Sequence, residues 1–242
     1  AILGGAGESN KHLIYEFGRK LGLAFQIQDD YLDAFGDPEK LADFVESVKT
    51  DFCGCRTSKS YCSGYTADPA IHTAQFCASV GDYSPDSFGV IGAEKLVYIE
   101  GEPNSTITVN LKGNARGAGI MVVVGNVLFS GTPTYDGLLV VLGDSFLVSG
   151  GGNGGINGAL AVTNVVDVVD ADGNVTKEFG DVTADFSGGG KSEYFYNEDR
   201  LVDVRDKLLS DSTKELWVLE DGDNSAGTVG KTGSIFGWTQ TY

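Results

Sequence analysis

The stretch Gly119-Ile120-Met121-Val122-Val123-Val124-Gly125-Asn126 decides the fold class. Its apolar run is mostly β-branched and is closed on both sides by glycine, which reads as a buried strand. It is far shorter than the ~20 residues of a membrane helix. Equivalent runs are Leu96-Val97-Tyr98-Ile99, Leu138-Leu139-Val140-Val141-Leu142 and Ala159-Leu160-Ala161-Val162. The four begin at residues 96, 120, 138 and 159, a recurrence of about 20 residues. Secondary runs, Ile107–Leu111, Val127–Phe129 and Phe146–Val148, lie between them and are joined through glycine and asparagine. A strand pair that recurs with glycine corners predicts a mainly β fold, a β-solenoid (an irregular parallel β-helix) in which each coil stacks on the last. No helix-length segment separates the runs, which argues against a doubly wound sheet. A β-sandwich or jelly roll is the alternative.

Working outward, both flanks read as helical. Upstream, Ile14, Phe17, Leu21, Ala24, Gln28, Leu32 and Phe35 recur at spacings of three and four, an apolar helical stripe interrupted once at Gln28. Gly36-Asp37-Pro38 ends it and starts a second helix over Pro38–Lys49, with Asp37 as N-cap and Leu41, Phe44, Val45 and Val48 inward. Downstream, Asn197 caps a helix over Asn197–Leu209 with Leu201, Val204 and Leu208 on one face. The open ends of a solenoid need covering, and these two helices are the candidate caps. The organisation expected is a helical segment over 1–50, a cysteine-rich loop region over 51–92, a β-repeat domain over 93–196, and a capping helix with a C-terminal tail over 197–242.

The chain has 242 residues, 35 of them glycine and 5 proline, and is 41% hydrophobic. No Gly-x-x period is present, so collagen is excluded, and the apolar content excludes gross disorder. A net charge of −17 argues against nucleic acid and anionic membranes as partners, since both need their phosphates neutralised by Lys and Arg. No membrane span is present in the sequence. The chain begins at Ala1 and not Met, which reads as processed or excised.

All four cysteines, Cys53, Cys55, Cys62 and Cys77, fall in one polar stretch without the paired Cys-x-x-Cys of a zinc ribbon. Even number and clustering predict two disulfides, with all three pairings open, and hence an extracellular or cell-surface protein. Asn104-Ser105-Thr106 and Asn174-Val175-Thr176 are candidate glycosylation acceptors. Gly150-x-Gly152-x-x-Gly155 satisfies a dinucleotide fingerprint formally, but a β run follows it where a helix is required. Asp167, Asp170 and Asp172 read as a solvated acidic loop, with weak Ca²⁺ binding as the sharper alternative. Only two histidines are present, and no Ser/His/Asp set can be assembled. Tyr98, Tyr135, Tyr194, Tyr196, Trp217 and Trp238 read as core or corner packing unless they cluster in space. The residues therefore assign no catalytic, cofactor-binding or metal-binding position, and no cofactor.

Two resemblances bear on function. Lys95–Gly101, Gly117–Asn126, Asp136–Asp144, Val148–Ala159, Phe186–Ser192 and Gly237-Trp238 together resemble the repeat region of PilX-type pilus-assembly proteins, over about 95–240. That resemblance implies an exported, non-catalytic structural or adhesive component of a type IV pilus. Its partners would be itself or other surface subunits, with glycans as candidate ligands. Such proteins normally begin with a hydrophobic membrane helix, absent here. Separately, the stretch Gly22–Pro38, which contains Gln28-Asp29-Asp30-Tyr31-Leu32-Asp33, is similar to the second aspartate-rich motif of trans-prenyl diphosphate synthases. On a helix, Asp29 and Asp33 lie one turn apart with Asp30 beside them, so their carboxylates can share Mg²⁺ that bridges to a diphosphate. No first aspartate motif and no arginine pair for the diphosphate is evident, and Leu41-Ala42-Asp43-Phe44-Val45 replaces the basic, glycine-containing stretch expected after Pro38. The leading expectation is the non-catalytic, pilus-associated protein. The alternatives are a prenyl-diphosphate-binding transferase fragment using Asp29, Asp30 and Asp33, and a polysaccharide-binding or polysaccharide-active β-helix. Catalysis by the last needs two carboxylates about 5–10 Å apart across a groove.

Overall fold

The long apolar runs become the central strands of two stacked parallel sheets. The computed structural model describes residues 11, 12, 15, 37–54, 62–64, 88–101, 106–149, 152–188 and 192–217. Its elements are α1 (Pro38–Gly54), β1 (Lys95–Glu100), β2 (Thr108–Gly113), β3 (Arg116–Val124), β4 (Asn126–Gly131), β5 (Thr134–Leu142), β6 (Ser145–Ser149), β7 (Gly155–Val169), β8 (Val175–Gly180), β9 (Thr183–Asp185), β10 (Glu193–Tyr196), α2 (Glu198–Leu208) and α3 (Asp211–Leu216). One sheet has the order β1-β3-β5-β7-β10 and the other β2-β4-β6-β9. Every pairing along both paths is parallel. The chain is mainly β, a β-solenoid of about three turns whose two walls are these sheets. Parallel pairing along both walls removes the sandwich alternative, which is built from antiparallel strands.

Register explains the composition of the runs. Leu96, Ile120, Leu138 and Ala159 are stacked partners, and Val97, Met121, Leu139 and Leu160 form the neighbouring column. The second column faces the solenoid interior, where Val109, Leu111, Val127, Phe129 and Phe146 meet it from the opposite wall. The first column faces outward, where α1, α2 and Trp217, just after α3, pack against it. A strand buried on both faces has no polar side, hence its unbroken apolar run.

The helices expected over Pro38–Lys49 and Asn197–Leu209 therefore lie on a wall of the solenoid. The helix expected upstream of Gly36 falls outside the described residues apart from residues 11, 12 and 15. Asp37 caps α1 as expected, accepting from Glu39 N at 2.9 Å and Lys40 N at 3.4 Å. Leu41, Phe44, Val45, Val48 and Phe52 are buried in the cluster that includes Leu96 and Tyr98. Asn197 caps α2, its side chain accepting from Arg200 N at 3.1 Å. Leu201, Val204 and Leu208 are the buried face of α2, which crosses β3, β5 and β7. Lying on this wall, the helices remove both their own apolar faces and the outward column from water. Beyond the last turn, β7 continues into an antiparallel hairpin with β8 that reaches α1.

A glycine column makes the stacking possible. Gly119, Gly137 and Gly158 are register partners with φ of +132°, +133° and +142°. A Cβ on any of them would collide with the carbonyl of the preceding turn. These corners thus need glycine for both conformation and close approach.

Candidate functional site

The aspartates that bear the sharpest chemistry, Asp29, Asp30 and Asp33, lie outside the described residues, as do Cys55, Cys77, Asn104 and Trp238. Among the described residues no group of three His, Cys, Asp or Glu side chains is placed to hold a metal ion. No helix among them is long and apolar enough to cross a membrane. Cys53, at the end of α1, is disulfide-bonded to Cys62. Both are buried in the cluster beneath α1.

The remaining sequence candidates resolve into structural roles. Asp170 is the acceptor of the β7–β8 turn. Its Oδ1 accepts from Asp172 N at 2.9 Å and Asn174 N at 2.8 Å, and its Oδ2 accepts from Asn174 Nδ2 at 2.8 Å. The hydrogen bonds from Asn174 hold its carboxyl below the usual range. Asp167 pairs with Lys177 at 2.8 Å across the same hairpin. Gly155 opens a strand, so no helix N-terminus follows the glycine-rich run. Tyr98 packs on Phe52, Trp217 on Phe44, and Tyr194 on Phe186, while Tyr135 and Tyr196 are buried. Tyr98, Tyr196 and Trp217 thus pack in the cluster under the helices, and Tyr135 and Tyr194 in that of the solenoid interior, where Phe129, Phe146, Phe186 and Tyr194 form a run of ring contacts.

Two polar constellations escaped the sequence reading. The first is a clasp between the entry to β1 and α2. Arg200 Nη1 donates to Glu94 Oε1 at 2.9 Å and to Asp203 Oδ2 at 2.7 Å. Lys207 Nζ stands 2.8 Å from Asp203 Oδ1 and 3.6 Å from Glu94 Oε2. Burial pushes the Glu94 carboxyl up, but hydrogen bonds from backbone N–H groups, including Gly92, and from Arg200 outweigh it and hold it at about 2. The hydrogen bond to Asp203 raises Lys207 above the usual lysine range. Arg200 Nε and Nη2 are buried without a partner, a cost the clasp carries. The second is a cleft of about 490 Å³ on the flank of the stack, lined by Asn114, Arg116, Thr132, Thr134, Asp136 and Asn153. Neither has a local signature, because its members come from different turns.

α1 also ties the front of the chain to the solenoid through polar contacts. Lys49 Nζ meets Glu100 Oε2 at 2.8 Å, Asp51 Oδ2 accepts from Ser210 N at 2.9 Å, and the Ser47 and Thr213 hydroxyls are 2.7 Å apart. Residues 1–52, which end inside this helix, match the family model of the polyprenyl synthetases. The chain is 37% identical over 101 residues to a decaprenyl-diphosphate synthase of Dictyostelium discoideum, covering 40% of this chain and 20% of that protein. It is 47% identical over 47 residues to a short chain isoprenyl diphosphate synthase of Methanothermobacter thermautotrophicus, 19% of this chain and 14% of that protein. A short chain isoprenyl diphosphate synthase of Methanocaldococcus jannaschii is 40% identical over 55 residues, 21% of this chain and 17% of that protein. The chain thus spans a fifth or less of the length of these relatives. No solved structure matches it.

These matches overturn the pilus-associated reading and the expectation of a non-catalytic adhesive or filament subunit. The relatives are diphosphate synthases, which are enzymes. The pilus resemblance rested on glycine-bounded apolar runs, and the fold requires those of any parallel stack of this kind. They report architecture and not kinship. The aspartate-rich stretch, by contrast, has no such architectural reason to exist.

Proposed function

We propose that the chain acts in isoprenyl diphosphate chemistry, with its front segment binding a Mg²⁺–diphosphate group through Asp29, Asp30 and Asp33. The observation that carries this is the match of residues 1–52 to polyprenyl synthetases, which contains all three aspartates. The donor set suits the metal: carboxylate oxygens are hard ligands, and Mg²⁺ favours one or two carboxylates together with phosphate oxygens. When bound, Mg²⁺ neutralises the diphosphate and makes it a better leaving group. The aspartates hold and orient that group, and a complete clamp also needs the first aspartate-rich motif and basic residues facing it. The solenoid is the scaffold that carries the segment, joined to it through α1. The Cys53–Cys62 disulfide supports an oxidising, extracellular or cell-surface compartment for the assembly.

Calorimetric titration of the full chain with farnesyl diphosphate tests the reading. Binding is expected in the presence of Mg²⁺, lost on chelation, and weakened at least about tenfold in the Asp29→Asn, Asp33→Asn double variant. Binding that ignores both the metal and the substitutions, or no binding at all, overturns it.

A further inference from the structure

The cleft on the flank of the solenoid carries chemistry of its own. Of the described arginines, Arg200 and Arg205 are ion-paired, whereas the guanidinium of Arg116 has no ion-pair or hydrogen-bond partner among the described residues. That is unusual in a chain of net charge −17, where carboxylates outnumber cations. Asp136 lines the same cleft without pairing to Arg116. A relay fixes its carboxylate instead: Asn197, the N-cap of α2, donates from Nδ2 to Asn157 Oδ1 at 3.0 Å, and Asn157 Nδ2 donates to Asp136 Oδ1 at 2.8 Å. One carboxylate oxygen is thereby held, and the other is left to accept from a ligand.

Register sets these groups along the stack. Arg116 on β3 is the partner of Thr134 on β5, and Thr134 is the partner of Gly155 on β7. Asn153, just before β7, extends the lining to the next turn. Neighbouring strands are ~4.8 Å apart, so the cleft presents hydrogen-bonding groups at a repeating interval. Its volume of about 490 Å³ is that of a small-molecule site. Exposed Val90 and Ile91 give it an apolar edge.

We propose that this cleft binds a uronate-bearing oligosaccharide, with Arg116 taking a sugar carboxylate and Asp136, Thr134 and Asn153 exchanging hydrogen bonds with hydroxyls. A lone guanidinium suits a singly charged carboxylate, which it can hold with two parallel hydrogen bonds. The fixed carboxylate of Asp136 opposes a phosphate-rich ligand and accepts well from sugar hydroxyls. Stacked, evenly spaced donors and acceptors suit a ligand that itself repeats.

Titration of the full chain with trigalacturonate, and with neutral maltotriose as the contrast, tests the proposal. Trigalacturonate is expected to bind at millimolar concentration or below, maltotriose about tenfold more weakly. Arg116→Gln is expected to weaken trigalacturonate about tenfold without changing maltotriose, and Arg116→Lys to recover part of the loss. The Arg116 side chain is exposed and unpaired, so neither variant should disturb folding, and unchanged thermal unfolding checks this. No binding of trigalacturonate, equal binding of the two sugars, or indifference to Arg116→Gln overturns the proposal.

Discussion

At Gly137 a single hydrogen decides whether two turns can stack. Its φ of +133° lies where L side chains are strained, and a Cβ there would strike the carbonyl of Gly119. Gly173, in the β7–β8 turn, has φ of +86° but nothing within 4 Å of the position a Cβ would take. The pair separates conformational strain from steric collision. Gly173→Ala is expected to cost about 1 kcal/mol from backbone strain alone, and Gly137→Ala about 2–4 kcal/mol because the neighbouring turn must also move. Urea denaturation of the two variants checks the difference. At this scale much was legible in the sequence: the glycines that bound Ile120–Val124 and Leu138–Leu142 announce corners, and Asp37 and Asn197 announce helix starts. The pairing of Cys53 with Cys62 was not legible, because four cysteines leave three pairings and only packing chooses. Arg116 was not legible either, since its significance lies in the partner it lacks.

At the scale of elements, α2 is held twice, by its apolar face and by its clasp to the chain ahead of β1. Glu94 and Arg200 are 106 residues apart in sequence, which is why no local pattern showed the clasp. It has a pH signature whose sign follows from Glu94. Its carboxyl is held at about 2 in the folded protein against an ordinary 4.5. A depressed carboxyl contributes stability that is fully present above about 4.5 and is lost as pH falls towards 2, because the unfolded chain binds the proton first. Thermal unfolding followed from pH 6 downward should therefore lose stability through this window. Glu94→Gln should start less stable at pH 6 and show a shallower decline. An equally steep decline in that variant would place the acid sensitivity in other carboxylates. The elements themselves were partly legible. The runs beginning at Leu96, Ile120 and Leu138 became β1, β3 and β5, but Ala159–Val162 proved to be the middle of β7, which continues to Val169. That continuation mixes valine with asparagine and aspartate, since it leaves the stack and pairs only with β8. The short, polar α3 had no apolar period to reveal it.

For the whole molecule, the boundary of kinship and the boundary of the fold do not coincide. The family-model match to the polyprenyl synthetases ends at residue 52, inside α1, and the 101-residue similarity to the decaprenyl-diphosphate synthase runs past it, whereas α1 begins at Pro38. Residues 38–52 belong to both. Phe44 meets Trp217 edge-on with ring centroids 5.9 Å apart, and Phe52 lies 6.1 Å from Tyr98. α1 is therefore the seam through which the front segment is mechanically joined to the solenoid, and it shields the outward column of Leu96 and Tyr98 from water. Cutting on either side of the seam should have opposite outcomes. Removing residues 1–36 leaves every contact of α1 with the wall named here in place, so the shortened chain should keep one cooperative thermal transition. Removing residues 1–54 strips the wall of Leu41, Phe44, Val45, Val48 and Phe52, each worth roughly 1.5–3 kcal/mol when fully buried. That sum is comparable to the entire stability of an ordinary domain, about 5–15 kcal/mol. The longer truncation should therefore bind a hydrophobic dye and aggregate instead of melting cooperatively. A cooperative transition in both would mean that the solenoid stands without α1, and that the front segment is tethered to it by chain connectivity alone.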